Sequence, residues 1–234
     1  MVLRDMKFHQ KFAAVILLVA LPSCATKFTA AQREALSTVA IAPTVVKSDA
    51  YAEPYGGDRQ GASMAGMVGV SSGTGAIGGL VGSLVGETIA ATQNNLFRGK
   101  SKGQFDAVQK NTPNIGPILN TKLVSGLKQE RFFSARLRDV SPNSITSQIT
   151  SYRLVRSGKD KSGELLLSPQ VIVELVLKDA AGKKLAGGAY VGTGYSNPIS
   201  VYATHAAKTK EGYEIASKMA VDFFTTALDK QTAE

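Results

Sequence analysis

One cysteine, two histidines and no tryptophan in 234 residues leave few groups from which to build a chemical site. With Cys24 alone, no disulfide can close within the chain, and one cysteine with two histidines is too few to build the usual Cys/His sets that hold zinc. His9 lies in the first segment, so His205 by itself would have to serve any Ser-His-Asp arrangement, and a lone histidine reads as a surface side chain. The carboxylates Asp139, Glu164 and Glu174 show no spacing that pairs them for acid and base work. Gly73, Gly75 and Gly78 match a GxGxxG spacing, but no strand precedes them and no lysine stands by to hold phosphate, so a nucleotide loop is rejected. The expectation is a protein without catalytic residues, metal or cofactor. Long apolar runs are missing too: the longest, Phe12 to Leu21, is half the length of about 20 residues that a membrane-spanning helix needs.

That short run is informative for what flanks it. Arg4, Lys7 and Lys11 precede it and Pro22, Ser23 and Cys24 follow, which gives the charged, apolar and small-residue parts of a secretory signal. With Leu21 three positions before Cys24 and Ser23 immediately before it, the end of the signal resembles a bacterial lipobox; Pro22 departs from the usual pattern. The resemblance implies cleavage before Cys24 and acylation of that cysteine, and several acyl chains at about 0.8 kcal/mol per buried CH₂ make a stable anchor in membrane lipid. Ala25 and Thr26 follow, and the aspartate that retains enteric lipoproteins in the inner membrane is absent, which implies the outer membrane. Loss of residues 1–23 lowers the formal charge from +9 to +7. A basic surface suits anionic head groups or envelope polymers. The lysines and arginines form no recognisable nucleic-acid motif, so nucleic acid is not expected as a partner.

Charge is absent altogether between Arg59 and Glu87, while glycine recurs throughout that stretch. Gly78, Gly82, Gly86 and Ala90 repeat every four residues; Ala62 and Gly66, and Ala65, Gly69 and Gly73, repeat the same interval, with Ser71 to Gly75 as a turn between the two halves. Rows of small residues let helices approach closely, as they do in lipid, whereas in water each helical glycine costs about 1 kcal/mol relative to alanine. The segment reads as a helical glycine-zipper hairpin, with Gly66, Gly69, Gly78, Gly82 and Gly86 as the candidate membrane or oligomerisation contacts.

The rest has globular character. Thr38 to Pro43 reads as a central strand, Ile115 to Gln129 as a helix opened by Pro117 with Leu119, Leu123 and Leu127 on one stripe, and Arg136 to Val140 and Ile145 to Val155 as strands. Val171, Val173, Leu175 and Leu177 alternate in the clearest strand, which turns at Asp179 to Gly182 into a partner over Lys184 to Tyr195. Lys208 to Asp229 reads as a closing helix with Ala216, Met219, Ala220, Phe223 and Ala227 on its buried face. The expected class is α+β: a mostly antiparallel sheet with helices packed on one face, plus the inserted Gly-rich hairpin. The division is a signal at 1–23, a lipidated polar tether at 24–37, and a domain at 38–234 with the insertion at about 61–92.

The opening strand, the helix with Arg131, Phe132 and Phe133 after it, the strand and turn over Val171 to Gly182, and the closing helix together resemble the α/β module of envelope lipoproteins. That group includes the curli secretion lipoprotein CsgG and the LpoB-type activators of peptidoglycan synthases. The resemblance implies envelope assembly, secretion or regulation without enzymatic activity. The Gly-rich insertion departs from that module and is similar instead to the TraT class of outer-membrane lipoproteins. Two functions follow as expectations. One is a lipid-anchored homo-oligomer assembled through glycine zippers, supporting a pore, secretion or envelope assembly; the other is a periplasmic module that binds and regulates an envelope protein.

Overall fold

The computed structural model describes residues 27–51 and 103–233. In chain order these form α1 (Ala30–Ala35), β1 (Ala40–Ile41), β2 (Val45–Val46), α2 (103–111), α3 (Ile115–Gln129) and α4 (Arg131–Ser134). They continue with β3 (Ser144–Lys159), β4 (Leu165–Lys178), β5 (Lys184–Thr193), β6 (Asn197–Pro198), α5 (Ile199–Thr204) and α6 (Ala206–Thr232). The expected α+β class holds. The sheet is mixed: β3, β4 and β5 form an antiparallel meander, β1 and β2 run parallel to β3 along its other edge, and β6 extends the line of β5 beside Leu166 and Leu167.

Local signals account for several boundaries. The Asn114 side chain accepts the Gly116 N–H at 3.2 Å and caps α3, and Pro117 sits in the first turn, where its missing N–H has no intrahelical partner to lose. Leu119, Leu123 and Leu127 are fully buried, as the stripe predicts. Val171, Val173, Leu175 and Leu177 are buried on one face of β4. Asp179 shapes the β4–β5 turn by accepting the N–H groups of Ala181 and Lys183, and Gly182 takes a φ of +78°, which a side chain disfavours.

Four expectations are corrected. β1 lies near the margin of the sheet, with a single bridge from Val39 to Leu137 beyond it. Arg136 to Val140 forms that one bridge rather than a strand, because the N–H groups of Arg136 and Leu137 both turn back to the Phe133 carbonyl as the chain leaves α4. The polar stretch at 25–36, where it is described, docks on the domain: Phe28 and Leu36 are buried, and α1 forms between them. In α6, Met219 and Phe223 are exposed at 39% and 49%, and the buried side carries Gly212, Tyr213, Ala216, Ser217, Ala220, Val221, Phe224 and Leu228.

The reason for that last rotation is contact distance. A Cβ on Gly192 of β5 would stand 1.7 Å from the Ala216 carbonyl oxygen, and one on Gly194 would stand 2.3 Å from that of Gly212. The helix therefore lies directly on the strand, and only small residues fit between them. Across α6, a Cβ on Gly126 of α3 would meet Val221 at 2.8 Å, so both helices settle closely over one face of the sheet. A single apolar core joins them, from Phe28 and Leu36 through the sheet to Phe224 and Leu228.

Candidate functional site

The residues singled out for function, Cys24, Gly66, Gly69, Gly78, Gly82 and Gly86, lie outside the described residues. The described chain begins three residues after Cys24, however, and runs on at both borders of the 52–102 segment, so the attachment points of both features are defined.

The attachment next to Cys24 is firm. The Phe28 N–H donates to the Gln231 carbonyl at 2.8 Å, tying the start of the domain to the last turn of α6. Thr29 and Gln32 form a reciprocal capping box, the Gln32 N–H donating to Thr29 Oγ1 at 3.2 Å and the Thr29 N–H to Gln32 Oε1 at 2.9 Å. Beyond α1, the buried Asn143 side chain donates to the Ala35 and Thr38 carbonyls at 2.8 and 2.9 Å, which fastens the loop before β3 to the same end of the molecule. An open groove of about 350 Å³ lies here, lined by Ala30, Arg33, Glu34, Phe132, Arg136 and Thr232. The Arg136 guanidinium stands 3.9 Å above the Phe132 ring and donates to the Phe132 carbonyl at 2.6 Å. Burial, and then the neighbouring Asp229, push the Glu130 carboxyl above its usual range, while a hydrogen bond from Thr225 acts the other way.

The second attachment is an aromatic cluster that no sequence period announced. Tyr51, the last described residue before 52–102, meets Tyr152 edge to face at 5.5 Å, and Tyr152 meets Tyr213 at 6.1 Å. The Tyr152 N–H donates to the Ala50 carbonyl at 2.8 Å. On the other border, Asn111 at the end of α2 donates to the carbonyls of Tyr202 and Ala203 at 3.0 and 2.9 Å. The Tyr202 hydroxyl donates to the Tyr195 carbonyl at 2.7 Å and lies 3.5 Å from where a Cβ on Gly212 would stand. Burial raises the pKa of Tyr213 well above its ordinary value. Four tyrosines spread from 51 to 213 meet only because β3, α5 and α6 bring them together. Tyr152 is eight residues along β3 from Ser144, so about 26 Å separates this cluster from the end that holds Phe28.

The histidine and carboxylates read from the sequence as candidates for acid and base work take separate roles in the structure. The His205 Nδ1 lies 2.7 Å from Thr204 Oγ1 on an exposed turn. Glu164 accepts the Ser200 N–H at 3.0 Å at the start of β4, Glu174 is exposed about 33 Å further along that strand, and Asp139 sits in the loop before β3. Among the described residues, no three His, Cys, Asp or Glu side chains converge as a metal site.

No protein-family model and no curated protein sequence matches the chain. Among solved structures, a Caulobacter crescentus protein described as a lipoprotein aligns at 18% identity and a TM-score of 0.37 over 50% of this chain and 82% of its own. A minor lipoprotein of Acinetobacter baumannii aligns at 14% identity and 0.33 over 51% and 84%, and a hypothetical protein of Chlamydia trachomatis at 7% and 0.36 over 82% and 92%. At these scores the matches establish neither a common fold nor a common activity.

Proposed function

We propose that this chain is a non-enzymatic envelope lipoprotein, held in the outer membrane by acylated Cys24, that self-assembles through its Gly-rich segment in support of secretion, a pore or envelope assembly. The observation that carries this reading is the closure of one hydrophobic core by the residues on both sides of 52–102. Tyr51 and Asn111 pin the two borders to the same tyrosine cluster, so the charge-free repeat is an insertion into a domain that has its own core. Rows of glycine that disfavour an isolated helix in water are then explained by helix-to-helix contact between copies. Native mass spectrometry of the lipidated protein in detergent, with and without residues 61–92, tests it. A discrete oligomer that falls to monomer on deletion supports the reading; a monomer in both forms overturns it.

A second reading has the α+β domain itself bind and regulate an envelope enzyme or transporter, with the Gly-rich segment as a packed or partner-bound element; the core that the residues on both sides of 52–102 build together favours it. Partner capture that survives deletion of residues 61–92 supports this version; capture lost together with them counts against it.

A further inference from the structure

The end of the domain beside Phe28 carries an unbalanced charge. Arg33 projects from α1, Arg131 and Arg136 from α4 and its exit, Arg138 from the loop before β3, and Lys183 and Lys184 from the β4–β5 turn. Lys128 and Lys230 stand in the last turns of α3 and α6, which both finish at this end, and Lys178 closes β4. The acidic residues there are fewer: Glu34, Glu130, Asp139, Asp179 and Asp229. Asp179 is engaged by the backbone of its own turn, and burial raises the pKa of the Glu130 carboxyl. None of these basic side chains forms an ion pair with a described carboxylate, whereas α6 pairs Lys208 with Glu211, Lys210 with Glu214 and Lys218 with Asp222 nearer its start and middle. At the tip of the loop before β3, next to Arg138, Val140 is 88% exposed, and Asn143 locks that loop to the exit of α1.

Covalent geometry sets how far this end can stand from an anchor. Four residue steps separate Cys24 from the docked Phe28, at most about 14 Å of extended chain. The opposite end, beyond the tyrosine cluster, lies too far along β3 for that reach.

We infer that the end of the domain formed by α1, α4, the loop carrying Arg138 and Val140, and the β4–β5 turn is a docking surface for the anionic lipid head groups of the leaflet that holds the anchor. Arg33, Arg131, Arg138, Lys183 and Lys184 supply the attraction to head-group phosphates, and Val140 enters the interface between them. Juxtamembrane basic residues each add to binding at an anionic surface, and an acyl anchor plus a basic face holds the domain in one orientation rather than leaving it to swing on a tether. The inference rests on the lipidation of Cys24 for its choice of surface, but the surface itself is testable without the lipid.

The test uses residues 24–234 with Cys24→Ser, which removes the anchor, in flotation with vesicles of phosphatidylcholine alone or containing 30% phosphatidylglycerol. Retention on the anionic vesicles alone, falling at least about tenfold in R131E/R138E/K184E and unchanged in the distal control K110E/K159E/K161E, is the expected result. Equal loss in both triple variants, or equal retention on both vesicle types, overturns it. Should the first variant misfold by circular dichroism, the single R138E combined with the salt dependence of the parent protein decides: binding that persists unchanged between 0.05 and 0.5 M NaCl rejects the surface. Inorganic phosphate or a soluble polyanion displacing nothing at equal charge, while vesicles bind, distinguishes a lipid surface from a free-anion site; displacement overturns the lipid assignment. Intact mass of the N-terminal peptide from the native protein reports acylation of Cys24 separately, so failure of the anchor and failure of the face are told apart.

Discussion

At the scale of single residues, the close approach of α6 to β5 is made by side chains that are not there. Gly192 and Gly194 hold α6 against β5 at distances that no Cβ allows, since the obstructing atoms are backbone carbonyl oxygens that cannot move without the helix. Gly192→Ala is expected to destabilise the domain by about 1–3 kcal/mol or more, whereas Gly188→Ala on the same strand, with nothing within 4 Å of its new methyl, stays within about 0.5 kcal/mol; urea denaturation of both variants measures the difference. Tyr190 offers a second residue-scale prediction. Its ring meets Phe224 at 5.6 Å, and burial pushes its pKa from 10.0 to about 12. The folded state holds the proton more tightly than the unfolded chain, so the favourable contribution is complete below pH 10 and is lost as pH rises from 10 through about 12. Tyr190→Phe is expected to flatten the fall in thermal midpoint between those pH values while leaving the midpoint at pH 7 nearly unchanged; an identical alkaline profile refutes it.

At the scale of elements, α1 shows how a stretch that reads as polar linker becomes structure. Its six residues bury nothing of their own, and it is held by its flanks, Phe28 before it and Leu36 after it, and by the Thr29–Gln32 capping box. Isolated helices this short do not form, so α1 depends on docking. Thr29→Ala is expected to cost about 1 kcal/mol and Phe28→Ala about 3–5 kcal/mol, and the second also frees residues 27–36 for proteolysis ahead of the rest of the chain. Cleavage of that stretch at the same rate in the parent protein indicates that the docking is weak. α3 and β4 stand at the other extreme. Leu119, Leu123 and Leu127 repeat at helical spacing, and Val171, Val173, Leu175 and Leu177 recur at every second position, so each element was legible from period and its predicted face is buried. α6 was legible as a helix and Ala216 and Ala220 of its predicted face are buried, but Met219 and Phe223 are exposed, because alanines lie around much of the helix and hydrophobicity did not say that Gly212 and its small neighbours face the sheet.

At the scale of the whole molecule, two attachments lie at opposite ends of one domain: the chain leading to Cys24 at the end of α6, and the borders of residues 52–102 at the tyrosine cluster. Because the described residues on both sides of 52–102 build a core together, removal of 61–92 is expected to leave the thermal midpoint within about 4 °C, which corresponds to roughly 1 kcal/mol for a domain of this size; a drop beyond about 10 °C in calorimetry indicates that the insertion packs into the core. The lone cysteine and the charge-free, glycine-rich stretch are facts of composition, and α3 and the β4–β5 hairpin were readable along the chain, since each rests on residues close in sequence acting through local period or turn chemistry. The docking of Phe28 on Gln231, the buried side of α6, the marginal place of β1, the meeting of the tyrosines and the gathering of basic residues at the end beside Phe28 were decided by the tertiary structure. Each depends on which distant backbones approach within contact distance, and no local pattern of hydrophobicity encodes that distance.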